Sequence, residues 1–225
     1  MIVFFDIGST LIDGPAFGPA RRLSETLGLG PQAAPELERL LFRSPARDPE
    51  ELANTIATRF RIDFKPALEA CTALWNAQLE EAYVLPGARE MIEKLKSAGI
   101  PRAYLSNIWP PFYEHFKQEF AEEADTQPQF LSFKTGLMKP DPAFFQLALR
   151  AVEARAEDAV MVGDTYKNDI RPAIELGMRT VWVLHRPEKE KADLIEVING
   201  EAPPPDITLA SIAQLEPWTL SNMIC

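Results

Sequence analysis

Short apolar runs alternate with amphipathic stretches from residue 85 to the end of the chain. GAREMIEKLKSAG has apolar residues at helical spacing and ends in a glycine, as helices often do. We predict strands over IPRAYLSN, DAVMVGD, RTVWVL and DITLAS, and further helices over PAFFQLALRAVE, NDIRPAIELGM and IAQL. Strands that alternate with helices in this way favour an α/β fold with a doubly wound parallel sheet.

The stretch between residues 15 and 83 has a different pattern. Four segments with helical periodicity follow one another, separated by Gly, Pro and Asp, without a run of β-branched residues between them. The apolar run at Ile2–Phe5 precedes them and is typical of a buried parallel strand. We therefore predict a Rossmann-like core formed by residues 1–14 and 84–225, with an all-helical cap inserted at 15–83 after the first strand.

Composition argues against several classes of function. The chain has 225 residues and a net charge of −10, without the clustered Lys and Arg that bind phosphate backbones, so we expect no nucleic-acid partner. No apolar run approaches the roughly 20 residues that span a bilayer, and the first residues lack the basic segment of a signal peptide. Cys71 and Cys225 show neither disulfide nor metal spacing. We expect a cytoplasmic protein without a membrane partner; the sequence indicates no oligomeric state.

Polar residues follow the predicted strands at the points where the strands end. Each one taken singly is more often a helix cap, a turn residue or a surface side chain. Because the carboxyl ends of parallel strands lie on the same edge of a sheet, the ordered set indicates a ligand site there. Its members are Asp6, the pair Ser106 and Asn107, Lys139 in GLMKPDP, and Asp164 with Asp169.

These segments together resemble the haloacid dehalogenase-like hydrolase superfamily. Its four motifs are similar, in order, to DIGSTL at Asp6, YLSN at Ser106, GLMKPDP at Lys139 and VGDTYKND at Asp164. The helical insertion resembles the first type of cap in that family, and YVLPGAREMIEKLKSAGI resembles the segment that returns to the core. The resemblance covers nearly the whole chain and implies hydrolysis of a small phosphorylated metabolite.

The resemblance also implies roles for individual residues. Asp6 would attack phosphorus and form an aspartyl phosphate, and Lys139 would neutralise charge on the reacting groups. Ser106, Asn107 and Thr10 would bind the substrate. A magnesium ion would be held by hard oxygen ligands, which are the carboxylates of Asp6, Asp164 and Asp169 and the backbone carbonyl of Gly8.

Gly8 departs from the family pattern, which has a second aspartate at this position. That aspartate protonates the leaving alcohol and later activates water, and a positioned acid or base of this kind contributes typically ~10²–10⁴-fold. Its loss should lower the rate of hydrolysis most for substrates with alkoxide leaving groups and least for acyl or aryl phosphates. Asp13, Ser9 and Thr10 are near enough in sequence to be candidate substitutes.

Three interpretations remain open. The first is a magnesium-dependent phosphohydrolase, which the complete set of motif residues favours. The second is a haloacid or phosphonate hydrolase, since branches of the family with those activities also lack the second aspartate. A phosphonatase would need a cap lysine for a Schiff base, and Lys65 is the only lysine in the predicted cap. The third is a protein of low or no activity that binds a phosphorylated ligand or a partner.

The predicted cap is expected to decide which substrate is accepted. An arginine there would hold a second anionic group, although arginines on amphipathic helices are usually solvated; the candidates are Arg21, Arg22, Arg39, Arg43 and Arg47. Trp109, directly after the second motif, is a candidate wall of the site entrance. We interpret HRPEKEKAD, from His185 onward, as a solvated loop and the beginning of a helix.

Overall fold

The computed structural model describes residues 1–224, so that Cys225 lies outside the described residues. In this described part of the chain, six parallel strands form one sheet in the order β5-β4-β1-β6-β7-β8. The strands are β1 (Ile2–Phe5), β4 (Arg102–Ser106), β5 (Gln129–Leu131), β6 (Ala159–Gly163), β7 (Arg179–Val183) and β8 (Ile207–Leu209), while β2 (Ile12–Asp13) and β3 (Tyr83–Val84) form a separate antiparallel pair. This is the strand order of the Rossmann fold, and the predicted α/β class is confirmed.

Within residues 1–224, twelve α-helices surround the sheet or build the insertion. Those of the insertion are α1 (Pro19–Thr26), α2 (Ala34–Arg43), α3 (Pro49–Phe60) and α4 (Phe64–Glu81). The others are α5 (Ala88–Ser97), α6 (Pro110–Glu119), α7 (Ala121–Thr126), α8 (Ser132–Thr135), α9 (Pro142–Ala151), α10 (Arg171–Glu175), α11 (Lys191–Ile198) and α12 (Pro217–Ser221). None of the helices that the structure describes is long and apolar enough to cross a bilayer.

The central strands are buried on both faces of the sheet. Val3 and Phe5 of β1 pack into one apolar cluster, and Phe4 between them packs into the cluster on the opposite face. Alternate residues of a strand point to opposite faces, so a strand covered on both sides must be apolar throughout. This is why the run at Ile2–Phe5 shows no alternation of polar and apolar residues.

Helices α1–α4 have an apolar cluster of their own. Its buried members include Leu37, Leu52, Ile56 and Cys71. Trp109, which precedes α6 on the sheet side, is buried in the same cluster. The antiparallel pair of β2 and β3 brackets this helical unit where it joins the rest of the chain, with Ile12 paired to Val84. Strands of two residues are too short to leave a periodic pattern in the sequence.

The segment after β6 differs from the single helix that its sequence predicts. A one-turn π-helix at Tyr166–Ile170 precedes α10. Within this turn the carboxylate of Asp169 accepts a hydrogen bond from the backbone N–H of Thr165 at 3.0 Å. π-Helical turns are rare and occur often at functional sites, and this one fixes the position of an acidic side chain at the end of β6.

Candidate active site

Three buried carboxylates meet at the carboxyl edge of the sheet. Asp6 follows β1, Asp164 follows β6 and Asp169 lies in the π-helical turn; one oxygen from each lies within 4.8 Å of the others. Gly163 makes this approach possible, because a Cβ atom at that residue would lie 2.5 Å from the side chain of Asp169. The structure thus brings together the three carboxylates that the sequence assigns to metal binding.

Lys139 is the buried cation of this cluster. Its Nζ donates to Oδ1 of Asp6 at 2.8 Å and to Oδ1 of Asp169 at 2.5 Å. Burial lowers the pKa of Lys139, but attraction to the two carboxylates outweighs burial and raises it. The ammonium group is therefore charged and neutralises part of the carboxylate cluster.

The carboxylates remain in excess over the lysine. Burial is the largest cause that raises the pKa of Asp164, and repulsion from Asp169 and Asp6 adds to it. Burial likewise raises the pKa of Asp169, against the opposing influence of Lys139. A cluster with this charge balance favours protonation or the binding of a cation.

Asn107 has a contact that its sequence position does not reveal. Its side-chain amide donates to the carbonyl oxygen of Lys139 at 2.8 Å and accepts from the backbone N–H of Lys139 at 2.8 Å. These two bonds fix the backbone that carries the buried lysine. Asn107 also lines the cavity described below. Its contact with substrate stays a prediction.

Ser106 and Thr10 are both fully buried, and neither lines the cavity. The hydroxyl oxygen of each has no hydrogen-bond partner among the described residues. Burying a hydroxyl without a hydrogen-bond partner costs free energy of folding. In native proteins such a group is often satisfied by a bound ligand or a water molecule. The predicted roles of both residues in substrate binding stay predictions.

A cavity of about 310 Å³ opens between the carboxylate cluster and the helical insertion. Lys139, Gly8 and Asn107 contribute to its floor together with the three carboxylates. Aromatic side chains line one part of the remaining wall, namely Phe17, Phe42, Trp109 and Phe112, and polar side chains such as Gln78 and Asn168 line another. The predicted wall position of Trp109 agrees with this lining.

A polar network beside the carboxylate cluster was not predicted from the sequence. Arg186 donates to Oδ2 of Asp164 at 3.0 Å, and its other terminal nitrogen lies 3.5 Å from Oδ1 of Asp13. The same Oδ1 accepts from the hydroxyl of Ser9 at 3.0 Å, and Nε2 of His185 lies 3.1 Å from Oδ2 of Asp13. The interpretation of HRPEKEKAD as merely solvated is wrong for its first two residues. Their position directly after a strand, on the same edge as Asp6, was the available signal.

The lysine and arginines of the cap that were candidates for substrate contact do not line the cavity. Lys65 is exposed at the beginning of α4 and does not line the cavity. The five arginines are also missing from the cavity lining within residues 1–224. Three of them pair with glutamates instead, as Arg21 with Glu25, Arg22 with Glu81 and Arg47 with Glu51.

Comparison with known proteins agrees with this geometry. Residues 1–177 match the model of the haloacid dehalogenase-like hydrolase family. A ribulose-1,5-bisphosphate 5-phosphatase of Halopiger xanaduensis is 30% identical over 80% of this chain and 82% of its own. A glyceraldehyde 3-phosphate phosphatase of Pyrococcus furiosus is 26% identical over 80% and 79%.

A solved structure shares the fold over almost the full length. The HAD hydrolase of family IA, variant 3, from Entamoeba histolytica superimposes with a TM-score of 0.63 at 18% identity, covering 99% of this chain and 98% of the other. The family match spans more than three quarters of the sequence and includes all four motif regions. The chain therefore belongs to the haloacid dehalogenase-like hydrolases.

Proposed function

We propose that this hydrolase is a magnesium-dependent phosphohydrolase of a small phosphorylated metabolite, with Asp6 as its nucleophile. The observation that carries the proposal is the shared contact of Lys139, which donates to both Asp6 and Asp169 at the floor of the cavity. The two relatives named as phosphatases support the same class of reaction. The cytoplasmic location inferred from the sequence is part of this proposal.

Asp6 has the contacts that a carboxylate nucleophile needs. Lys139 holds Oδ1, which orients the carboxylate and leaves Oδ2 for attack on phosphorus. Attack forms an aspartyl phosphate and divides one difficult displacement into two easier ones. The ammonium of Lys139 lies where negative charge gathers during transfer, so it stabilises the transition state.

The unpartnered hydroxyl of Ser106 ends the strand next to β1. A phosphoryl oxygen would supply the missing acceptor. The hydroxyl of Thr10 is buried without a partner in the same way. Neither group lines the cavity, so the substrate-binding roles inferred for both from the motifs stay predictions.

The carboxylate cluster fits a magnesium ion. Its donors are hard oxygens, and a buried cluster with raised pKa values of Asp164 and Asp169 gains from an added cation. Asp6, Asp164 and the carbonyl of Gly8 would hold the ion, with Asp169 beside them. When bound, magnesium would supply positive charge that screens the phosphoryl oxygens from Asp6.

The proposal is tested with acetyl phosphate and p-nitrophenyl phosphate, each assayed with magnesium and with EDTA. We expect phosphate release that requires magnesium, is abolished in Asp6→Asn and persists in Asp125→Asn, which alters an exposed aspartate of α7. Acid quenching during turnover should trap a phosphoenzyme that hydroxylamine cleaves. If neither substrate releases phosphate, the site binds its ligand without turnover or acts on haloacids or phosphonates, and those substrates are tested next.

A further inference from the structure

An aromatic ring lies beside the position of the missing acid. A Cβ atom on Gly8 would lie 3.6 Å from Cε1 of Phe112, and one on Gly14 would lie 3.4 Å from Cε2 of the same ring. Both distances are ordinary van der Waals contacts, so the ring of Phe112 packs directly against this part of the cavity wall. In place of a proton donor, the wall beside Gly8 presents an apolar surface.

One carboxylate of the cavity that could replace the acid, Asp13, is already engaged. Asp13 lines the cavity, but Oδ1 accepts from Ser9 at 3.0 Å and Oδ2 lies 3.1 Å from Nε2 of His185. Arg186 approaches Oδ1 as well, at 3.5 Å. Both oxygens of Asp13 are thus turned to these neighbours, so Asp13 is not free to replace the acid missing at Gly8.

Part of the remaining wall suits a flat apolar group. Phe17 and Phe42 approach from the cap, and Trp109 and Phe112 from the sheet side. Trp109 is held edge-on by Trp75, with ring centroids 5.6 Å apart. Aromatic rings in such a wall favour another aromatic ring by offset or edge-to-face contact.

The cap contributes one acidic side chain to the cavity wall. Glu38 is the one ionisable residue that the cap, within residues 15–83, contributes to the cavity lining; burial raises the pKa of its carboxyl group, and attraction to Arg39 opposes this. On the sheet side, Lys139 and Arg186 are paired with carboxylates. Lys189 is at the exposed edge and donates to the carbonyl of Ala16 at 3.3 Å. A substituent facing the cap is therefore favoured when it is neutral or cationic.

We propose that the substrate is the phosphomonoester of a phenol, with a neutral or cationic substituent on the ring directed towards Glu38. This inference rests on the proposed phosphohydrolase function and names its substrate class. A phenol ionises near pH 10, so its oxygen leaves without the proton that an alkoxide requires. The missing acid and the aromatic wall lead independently to the same class of leaving group.

The reaction balances without a general acid. A bond forms between Asp6 and phosphorus while the bond to the phenolic oxygen breaks, and phenolate leaves with the electron pair. Water then attacks the phosphorus of the aspartyl phosphate, which restores the carboxylate and releases dihydrogen phosphate. One proton of that phosphate passes through solvent to the phenolate. The second step also lacks a base, so the phosphoenzyme should accumulate and phenol should appear in a burst stoichiometric with enzyme.

Phenyl phosphate and benzyl phosphate test the leaving group, because they carry the same ring but release a phenol and an alcohol. We expect kcat/KM, which reports the first step, to be at least ~100-fold higher for phenyl phosphate. In Gly8→Asp this ratio should fall at least ~10-fold. Gly8→Ala, which adds the Cβ atom without the carboxyl group, should keep the ratio of the wild type.

A pair of ring substituents tests the cap wall. We expect 4-(aminomethyl)phenyl phosphate to be a better substrate than 4-carboxyphenyl phosphate by about tenfold in kcat/KM, a ratio equivalent to about 1.4 kcal/mol. Glu38→Gln should abolish this preference. Glu50→Gln, which alters an exposed residue of α3 outside the cavity lining, should leave it unchanged.

Two failures are distinguishable. If benzyl phosphate or glyceraldehyde 3-phosphate is hydrolysed as well as phenyl phosphate in an Asp6-dependent reaction, the phenolic class is wrong and the phosphohydrolase function stands. If no substrate releases phosphate, acetyl phosphate included, the proposed function is wrong and the inference fails with it.

Discussion

Arg186 donates a hydrogen bond to Oδ2 of Asp164 at 3.0 Å, and this pair gives the carboxylate cluster a second cation. Lys139 forms ion pairs with Asp6 and Asp169. Arg186 forms an ion pair with Asp164 and a longer one with Asp13. The residue proposed as a direct metal ligand is therefore already paired with a protein cation. A metal ion at this position must share Asp164 with the guanidinium or displace it.

Replacing Arg186 by alanine should tighten magnesium binding. Removing a positive charge a few ångströms from the site removes a repulsion of about 1–4 kcal/mol, of which we expect roughly 1.4 kcal/mol to appear as tenfold tighter binding. Isothermal titration of the metal-free protein with MgCl₂ measures this directly, without an activity assay. Arg171→Ala, an exposed arginine on α10 paired with Glu175, should bind as the wild type does. Weaker binding in Arg186→Ala would contradict this role.

The metal-free protein should lose stability as pH rises. Unfolded aspartate has a pKa near its ordinary value of 3.8, while burial raises the pKa values of Asp164 and Asp169 in the folded protein. Above about pH 4 the unfolded chain has released protons that the folded state still holds, so the free energy of unfolding falls with pH. Urea denaturation in EDTA across about pH 4–8 should show this decline.

Asp164→Asn isolates the source of that pH dependence. The amide does not ionise, so the decline in stability should be shallower than in wild type and stability near pH 8 should be higher. Asp125→Asn, an exposed position, should retain the decline of the wild type. Parallel stability curves for wild type and Asp164→Asn would show that the buried carboxylate is not its cause.

Asn107→Ala should lower kcat more than it changes KM. The two hydrogen bonds of 2.8 Å to the Lys139 backbone are lost, which should cost about 1–3 kcal/mol of stability and displace the ammonium group. Misplacement of a group that acts in the transition state lowers kcat, by roughly tenfold here. Asn199→Ala, at an exposed position after α11, is the matched control. A raised KM with unchanged kcat would instead support direct substrate binding by Asn107.

Ser106→Ala should affect stability and ligand binding differently. Its hydroxyl has no partner, so its removal should leave stability unchanged or raise it by up to about 1 kcal/mol. Binding of inorganic phosphate, measured calorimetrically, should weaken by about fivefold to tenfold, as expected for one lost hydrogen bond.

Ser132→Ala provides the opposite case. That hydroxyl donates to the carbonyl of Ile108 and accepts from its backbone N–H, both at 3.0 Å. Its loss should destabilise the fold by about 1–3 kcal/mol and leave phosphate binding intact. Equal phosphate affinity in Ser106→Ala and wild type would remove Ser106 from the binding site.

The central part of the site was predictable from sequence. Apolar strands that alternate with helices imply parallel strands, and parallel strands end on one edge. Residues that follow those strands, such as Asp6 and Asp164, must therefore approach one another. Local sequence sufficed here because each residue is placed by the strand that precedes it.

Other contacts depended on elements far apart in the chain. The contact of Arg186 with Asp13 joins residues that are 173 positions apart in the chain. The hydrogen bond from Asn107 to the backbone of Lys139 joins residues that are 32 positions apart. Helical periodicity shows that one face of a cap helix is buried, but not which cavity its neighbours line. Tertiary packing therefore decided that Glu38 rather than a cap arginine faces the cavity, and that Phe112 fills the space beside Gly8.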